Sequence, residues 1–453
     1  MGSAHSALAN WLFARHTGGT FLLRVEDTDA ERNRPELAEN VLEMLRWLGL
    51  EWDGEPVHQS DRLEMYTAAA ARLVAGGTAY ACDCTPEAVQ TRHAERGGTP
   101  GYDGFCRTRA LEPGLGRALR FQVPDEGVTA WDDLVRDRVS FDHANLEDFV
   151  LLRSNGTPTF LLANAVDDAD MDITHVIRGE DHVNGTPKYL LIREALGLGA
   201  PTFAHMPLLV NESRKKLSKR RDDVSVADYR DHGFLPEAMV NYLALLGWGP
   251  DDGIEIRPIA EIIERYRLED VNPSPAFFDP KKLAHVNGEH LRALSPETFV
   301  EAAAAFLPAD VEGARAALVS LAAEVRDRVK TLEEVPDMID FLWLDEVPVD
   351  SAAWEKAMVR GRAASEMLDA TIDGLGAIDD SQWNPTTLRT VIESAAVSAG
   401  LTNSEGKPQL AKAQGPVRVA VTGRGQGPPL FELLTALGPE RSLARLRAAR
   451  TRL

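Results

Sequence analysis

The chain has 453 residues, more than one ordinary core can hold, and its composition, 44% apolar and 26% charged, is that of a soluble globular protein of two to four domains. Its net charge of −21 argues against a surface that binds nucleic acid everywhere, because phosphate needs local positive charge, but it leaves room for a basic stripe. No stretch approaches the roughly 18 uninterrupted apolar residues of a membrane span. Nothing at the N-terminus reads as a secretory signal, so the cytoplasm is the expected compartment.

In chain order, residues 7–16 read as a helix and the run TFLLRV at 20–25 as a short strand, closed by the acidic cluster Glu26-Asp27-Thr28-Asp29. A helix is expected from Pro35, with Leu37, Val41, Met44, Leu45 and Leu48 on one face and Gly49 as its stop, and another over 61–76. This rhythm suits an open α/β sheet. Between 78 and 155 the pattern shifts to short mixed runs and reads as an inserted α+β domain. The α/β rhythm resumes with Thr159–Ala163, Ile173–Ile177, a helix Pro187–Leu196 and Met206–Val210. From 225 helices dominate, expected at 236–247, 258–266, 297–306, 312–335, 352–375, 384–400 and 428–450, with 405–427 as a long irregular connection.

Within the basic run Arg214–Arg221, six of eight positions are Lys or Arg, including Lys216-Leu217-Ser218-Lys219-Arg220. Clustered ammonium groups on a loop after a strand suit a triphosphate, whose leaving pyrophosphate gathers charge. Only three cysteines occur, Cys82, Cys84 and Cys106, too few for a disulfide scaffold and close enough to favour a metal.

KLSKR at 216–220 resembles the KMSKS signature of class I aminoacyl-tRNA synthetases. NWLFARHTGGTFLLRVEDTD (10–29), LRWLGLEWD (45–53), ITHVIRGEDH (173–182), YLALLGW (242–248) and LFELLTALG (430–438) resemble the bacterial glutamyl enzymes in particular. The resemblance implies a Rossmann-type catalytic domain (1–77 and 156–224), an inserted acceptor-binding domain (78–155), a helical stem-contact domain (225–308) and an all-α anticodon-binding domain (309–453). It implies ATP-dependent ligation of L-glutamate to tRNA-Glu through a glutamyl-adenylate, with tRNA-Gln as a further acceptor, by a monomer that uses Mg²⁺ with ATP. The alternative it leaves is a catalytically impaired relic that binds tRNA.

The same resemblance assigns residues. Glu26 would accept from the substrate ammonium and Arg178 would pair with a substrate carboxylate, with Asn164 and Phe160 lining that pocket; many relatives carry tyrosine where Phe160 stands. Glu180, Asp181 and His182 would face the adenosine. Lys219 would stabilise the α-phosphate transition state, Lys216 would assist the outer phosphates, and Arg32 would meet the tRNA acceptor end. Met1, Gly2 and Ser3 fall on the last three positions of the HIGH signature, so Gly2 and Ser3 would touch ATP; the first histidine and the first strand would precede Met1, which implies a start assigned too far downstream or a truncated product. Cys82, Cys84 and Cys106 with Tyr102 would hold a structural zinc, with His93 as an alternative fourth ligand. The basic residues Lys407, Lys412, Arg418 and Arg424 are candidates for RNA contact.

Overall fold

A computed structural model describes residues 1–28, 35–96, 101–217 and 225–453. The chain forms two compact units, one of Met1–Asp228 with Met239–Pro280 and one of Tyr229–Ala238 with Lys281–Leu453.

The first unit opens with α1 (Gly2–Thr17), which stops at Gly18 in the left-handed conformation (φ 69°) that an αL cap requires. Of the TFLLRV run only β1 (Arg24–Val25) pairs as a strand, parallel to β2 (Val57–His58). Between them lies α2 (Pro35–Trp47), and after them α3 (Leu63–Ala75). Next come β3 (Ala79–Cys82), α4 (Pro86–Arg96), β4 (Ala118–Phe121), the hairpin of β5 (Val128–Asp133) and β6 (Asp137–Asp142), and β7 (Val150–Leu152). Strands β3, β4 and β7 form an antiparallel sheet. The hairpin instead joins β8 (His175–Gly179) and β9 (Thr202–Met206), giving a four-stranded sheet in the order β6-β5-β9-β8 whose β5, β9 and β8 run parallel.

Thr159–Ala163, expected in extended form, instead begins α5 (Phe160–Asp170). The apolar run Phe-Leu-Leu-Ala carries no β-branched residue, and its continuation Asn-Ala-Val lets one helical face stay buried for three turns. Strand and buried helix look alike over four apolar residues, which is why the pattern misleads there. After α6 (Thr186–Ala195), Pro207 divides the expected strand Met206–Val210 between β9 and β10 (Leu209–Val210), and β10 pairs with β11 (Ala276–Phe277). Tyr66, Leu73, Phe121, Phe149, Leu151, Leu162, Tyr189 and Phe203 form one buried core drawing on α3, β4, β7, α5, α6 and β9.

The second unit is helical throughout its described residues. Helix Ala364–Gly376 packs against Pro385–Ser398, Leu410–Thr422 and Pro439–Arg452. Three helices expected as continuous are broken. The span 312–335 contains Ala314–Ser320 and Ala322–Arg326, with Leu321 between them out of helical conformation. Leu318, Leu321, Ala322, Val325 and Val329 keep helical spacing across the break and are all buried, so periodicity cannot register it. A π turn at Glu355–Val359 and Gly438 (φ 83°) interrupt the other two.

The segment 405–427 is corrected more sharply: Leu410–Thr422 is a helix despite Pro416, because Val417, Val419 and Val421 are buried. It ends at Gly423 (φ 72°), where a Cβ would stand 2.1 Å from the carbonyl oxygen of Pro348. Gly423→Ala is therefore expected to lose about 1 kcal/mol for the left-handed conformation and typically 1–3 kcal/mol more for the clash. Gly406→Ala, also left-handed (φ 76°) but with no atom within 4 Å of the added methyl, should lose the first contribution only; calorimetric Tm values of the two variants separate them.

Candidate active site

A cavity of about 1470 Å³ lies in the first unit. The start of α1 (Met1, Gly2, Ser3), the β1 segment Leu23–Glu26, Phe160 and Asn164 of α5, the strand β8 with Asp181 and His182, and Lys216 all line it. Residues from five separate stretches of sequence therefore converge on one space.

At one end Glu26 and Arg178 face the cavity. Asn164 Nδ2 donates to Glu26 Oε1 at 2.9 Å, and Asn164 Oδ1 accepts from Gln59 Nε2 at 2.9 Å, which fixes the amide. The protein surrounding Glu26 raises its carboxyl above the ordinary 4.5; Asn164 and Arg24 offset only part of that desolvation. Burial likewise pulls the Arg178 guanidinium below its usual value, though it stays charged. Arg178 Nη2 donates to Thr186 Oγ1 at 2.9 Å and the guanidinium lies 5.6 Å from the Phe203 ring. A carboxylate and a guanidinium across a partly dry cavity suit a zwitterion carrying both an ammonium and a carboxylate.

The raised Glu26 carboxyl yields a prediction with a definite sign. Folding takes up a proton between pH 4.5 and the higher folded-state value, so stability falls as pH rises through that window and stays lowered at neutral pH. Glu26→Gln, which retains an acceptor for Asn164, should raise Tm at pH 7.5 and lose that advantage below pH 4.5.

Helix α5 buries two adjacent carboxylates, Asp167 and Asp168, of which Asp168 reaches the cavity lining. Asp167 accepts from Arg62 Nε at 2.8 Å, Gln59 Nε2 at 2.8 Å and Tyr66 Oη at 2.7 Å. Asp168 accepts from Arg24 Nη1 at 2.7 Å and Tyr189 Oη at 2.9 Å. These bonds compensate two buried charges and lock α5, from which Asn164 and Phe160 project. The sequence reading did not include Arg24, Gln59, Asp167 or Asp168; an acidic pair inside an otherwise apolar helix was the available signal.

At the other end Lys216 Nζ pairs with Asp181 Oδ2 at 2.7 Å, both exposed. Burial opposes it, but Lys216 holds Asp181 below the usual carboxylate range. His182 stacks on Phe160 at 5.3 Å, its imidazole held below its usual value by burial and by Arg178. The first turn of α1 presents backbone N–H groups to this same space, a position suited to phosphate.

Glu180 does not share it. Its carboxylate is taken up by Arg136 and by the backbone N–H of Leu208 (3.2 Å), and it lies outside the cavity lining. Lys219 and Arg32 lie outside the described residues. In the second unit Arg418 donates to the Pro428 carbonyl at 2.6 Å, Arg424 is forked onto Asp340, and Lys407 pairs with Glu405 at 3.0 Å. Arg424 is thus paired with a carboxylate, whereas Arg418 donates only to a neutral carbonyl.

Separately, the sulfurs of Cys82, Cys84 and Cys106 lie within 4.8 Å of one another, and Tyr102 Oη is 3.4 Å from Cys82 Sγ. His93 is not part of this cluster. Arg92, Arg109 and Arg120 each donate to one sulfur at 3.3 Å, Arg92 to Cys84, Arg109 to Cys106 and Arg120 to Cys82. Burial and the Cys106 sulfur push the Cys84 thiol up to about 11.

With this geometry in view, the sequence relationships are specific. The family described as tRNA synthetases class I (E and Q), catalytic domain, matches residues 1–285, and an anticodon binding domain matches 298–450. A class I synthetase architecture, catalytic domain followed by a helical anticodon-binding domain, is what sheet, cavity and second unit make up together. Among relatives, a glutamate–tRNA ligase of Salinispora arenicola is 50% identical over 470 aligned residues, covering 100% of this chain and 96% of that protein. One from Frankia casuarinae is 51% identical, with 100% and 95% covered. The crystal structure of a glutamate tRNA ligase from Elizabethkingia meningosepticum, in complex with its amino acid, superposes with a TM-score of 0.84 at 27% identity, over 99% of this chain and 96% of that one. The chain belongs to the glutamate–tRNA ligase family.

Proposed function

We propose that the protein joins L-glutamate to the 3′ end of tRNA-Glu at the expense of ATP, by way of a glutamyl-adenylate. The observation that carries this reading is the single cavity holding Glu26, Asn164 and Arg178 at one end and Lys216, Asp181 and the first turn of α1 at the other. Glutamate's ammonium would bind Glu26, and one of its two carboxylates Arg178. The remaining carboxylate is then free to attack the α-phosphate of ATP laid along α1, Asp181 and His182. Lys216 would leave Asp181 for the outer phosphates, and the KLSKR resemblance assigns the α-phosphate to Lys219. Mg²⁺ would enter with ATP. Binding the two reactants in one space supplies orientation, a large contribution to such a displacement.

In this reading the 78–155 region meets the acceptor end with Arg32, 225–308 contacts the stem and 309–453 reads the anticodon; the protein works as a cytoplasmic monomer, and tRNA-Gln is a second acceptor. Charging assays with radiolabelled glutamate, glutamine and aspartate on purified tRNA-Glu and tRNA-Gln test it. Charging with glutamate alone is expected, and glutamine incorporation at equal efficiency would overturn the assignment of Arg178.

The cysteine cluster fits zinc. Sulfurs at these separations with a phenol oxygen alongside match a tetrahedral site with Zn–S near 2.3 Å, and the three arginines suit a cluster of negative sulfurs. Cys82, Cys84, Cys106 and Tyr102 would hold the ion, whose part is structural. Metal analysis should find about one zinc per chain in the wild type and none in Cys106→Ser, with Tm lowered in the variant.

A further inference from the structure

Arg178 does not stand alone at the base of the cavity. Its Nε points at Nε2 of His205, 3.3 Å away, and a guanidinium N–H only donates. Nε2 of His205 must therefore be the unprotonated, accepting nitrogen. On the other side of the ring, Nδ1 lies 2.5 Å from Asp133 Oδ2. Asp133 and His205 side chains are both fully buried. The Asp133 carboxylate is itself pinned: Oδ1 accepts from the backbone N–H of His205 (3.1 Å), Val135 (3.2 Å) and Arg136 (3.2 Å), and Oδ2 from Trp131 Nε1 (3.2 Å). Thr186 Oγ1, which accepts from Arg178 Nη2, sits 3.1 Å from the same Nε2. Phe203 closes the imidazole's face in a stacked contact at 5.8 Å.

From this geometry we infer that His205 is a positioning residue for substrate recognition: Asp133 fixes it as the Nδ1–H tautomer, and its bare Nε2 holds the Arg178 guanidinium by Nε. Nε and Nη2 are thereby occupied, and among the described residues Nη1 meets no acceptor, so one edge of the fork stays turned to the cavity. A guanidinium with its edge preset loses less freedom when the substrate carboxylate arrives. Asp133 and His205 are fully buried outside the cavity lining and act only through Arg178. The inference rests on the proposed role of Arg178, and extends it to what aims that side chain.

Two substitutions at one position separate positioning from packing. Asparagine places its amide near Nδ1 and can satisfy Asp133 but offers Arg178 nothing. Glutamine reaches the Nε2 position with an acceptor for Arg178. His205→Asn should raise KM for glutamate about ten- to a hundredfold, as expected for losing a hydrogen bond to a charged group, with KM for ATP unchanged. His205→Gln should stay within about threefold of wild type, since it retains that bond. A structural role through Asp133 predicts the opposite order, and equal Tm loss with no KM effect would also overturn the inference. Asp133→Asn supplies an independent reading. An amide donating to Nδ1 forces the Nε2–H tautomer, which sets two donors face to face at Arg178; long-range ¹H–¹⁵N correlation should show the ring's tautomer switch together with the KM rise. Arg178→Ala is measured in parallel: if it leaves glutamate use intact, the function reading fails, whereas an effect there with normal KM in His205→Asn and Asp133→Asn refutes only the relay.

Discussion

Arg178→Ala is expected to lower kcat/KM for glutamate on the order of 10²- to 10³-fold while leaving KM for ATP close to wild type. The size follows from removing one partner of a charge pair formed in a partly buried cavity, where truncation costs about 2–5 kcal/mol. The separation of the two substrates follows from the proposed roles: Arg178, held by Thr186 and His205, would meet the glutamate carboxylate, and Lys216 and Asp181 would meet ATP. Arg178→Lys should recover little, because an ammonium can reproduce neither the contact through Nε nor a planar fork. Steady-state kinetics with each substrate varied in turn measures both.

The largest effect on stability is expected at Asp167. Its side chain is fully buried and accepts from Arg62, Gln59 and Tyr66, with Arg24 Nε 3.8 Å away. Asp167→Ala leaves two guanidinium groups, a phenol and an amide without their shared acceptor, and breaking a buried pair in this way costs about 3–5 kcal/mol. Arg62 retains Asp170 and Arg24 retains Asp168, so the loss should fall toward the lower end of that range. Because Gln59 also fixes Asn164, the variant should raise KM for glutamate as well as lower the denaturation midpoint. Chemical denaturation with an unchanged m-value would show that the effect is on native stability.

What the sequence disclosed depended on whether function rested in one contiguous stretch. Glu26, Arg178, Asp181 and His182 sit within ordered motifs, and all four line the same cavity. Gln59, Asp133 and His205 come from three separate segments and acquire meaning only when β2, β5, β9 and α5 are brought together. Glu180 shows the converse. It lies inside a motif beside Asp181, yet it begins the 3-10 turn after β8 and its carboxylate pairs with Arg136. Helices with clear stop signals were legible, Gly18 after α1 being one, whereas the break at Leu321 was hidden because its buried positions keep helical spacing on both sides. In the basic tail, charge is visible in sequence, but the internal acceptors of Arg418 and Arg424 are not.

The central claim is that this cavity activates glutamate with ATP. ATP–pyrophosphate exchange in the presence of tRNA-Glu tests it most directly. The wild-type chain should exchange label when glutamate is supplied, and should not with glutamine; Arg178→Ala should not under either condition. Exchange that proceeds equally with glutamine, or persists undiminished in Arg178→Ala, would contradict the account.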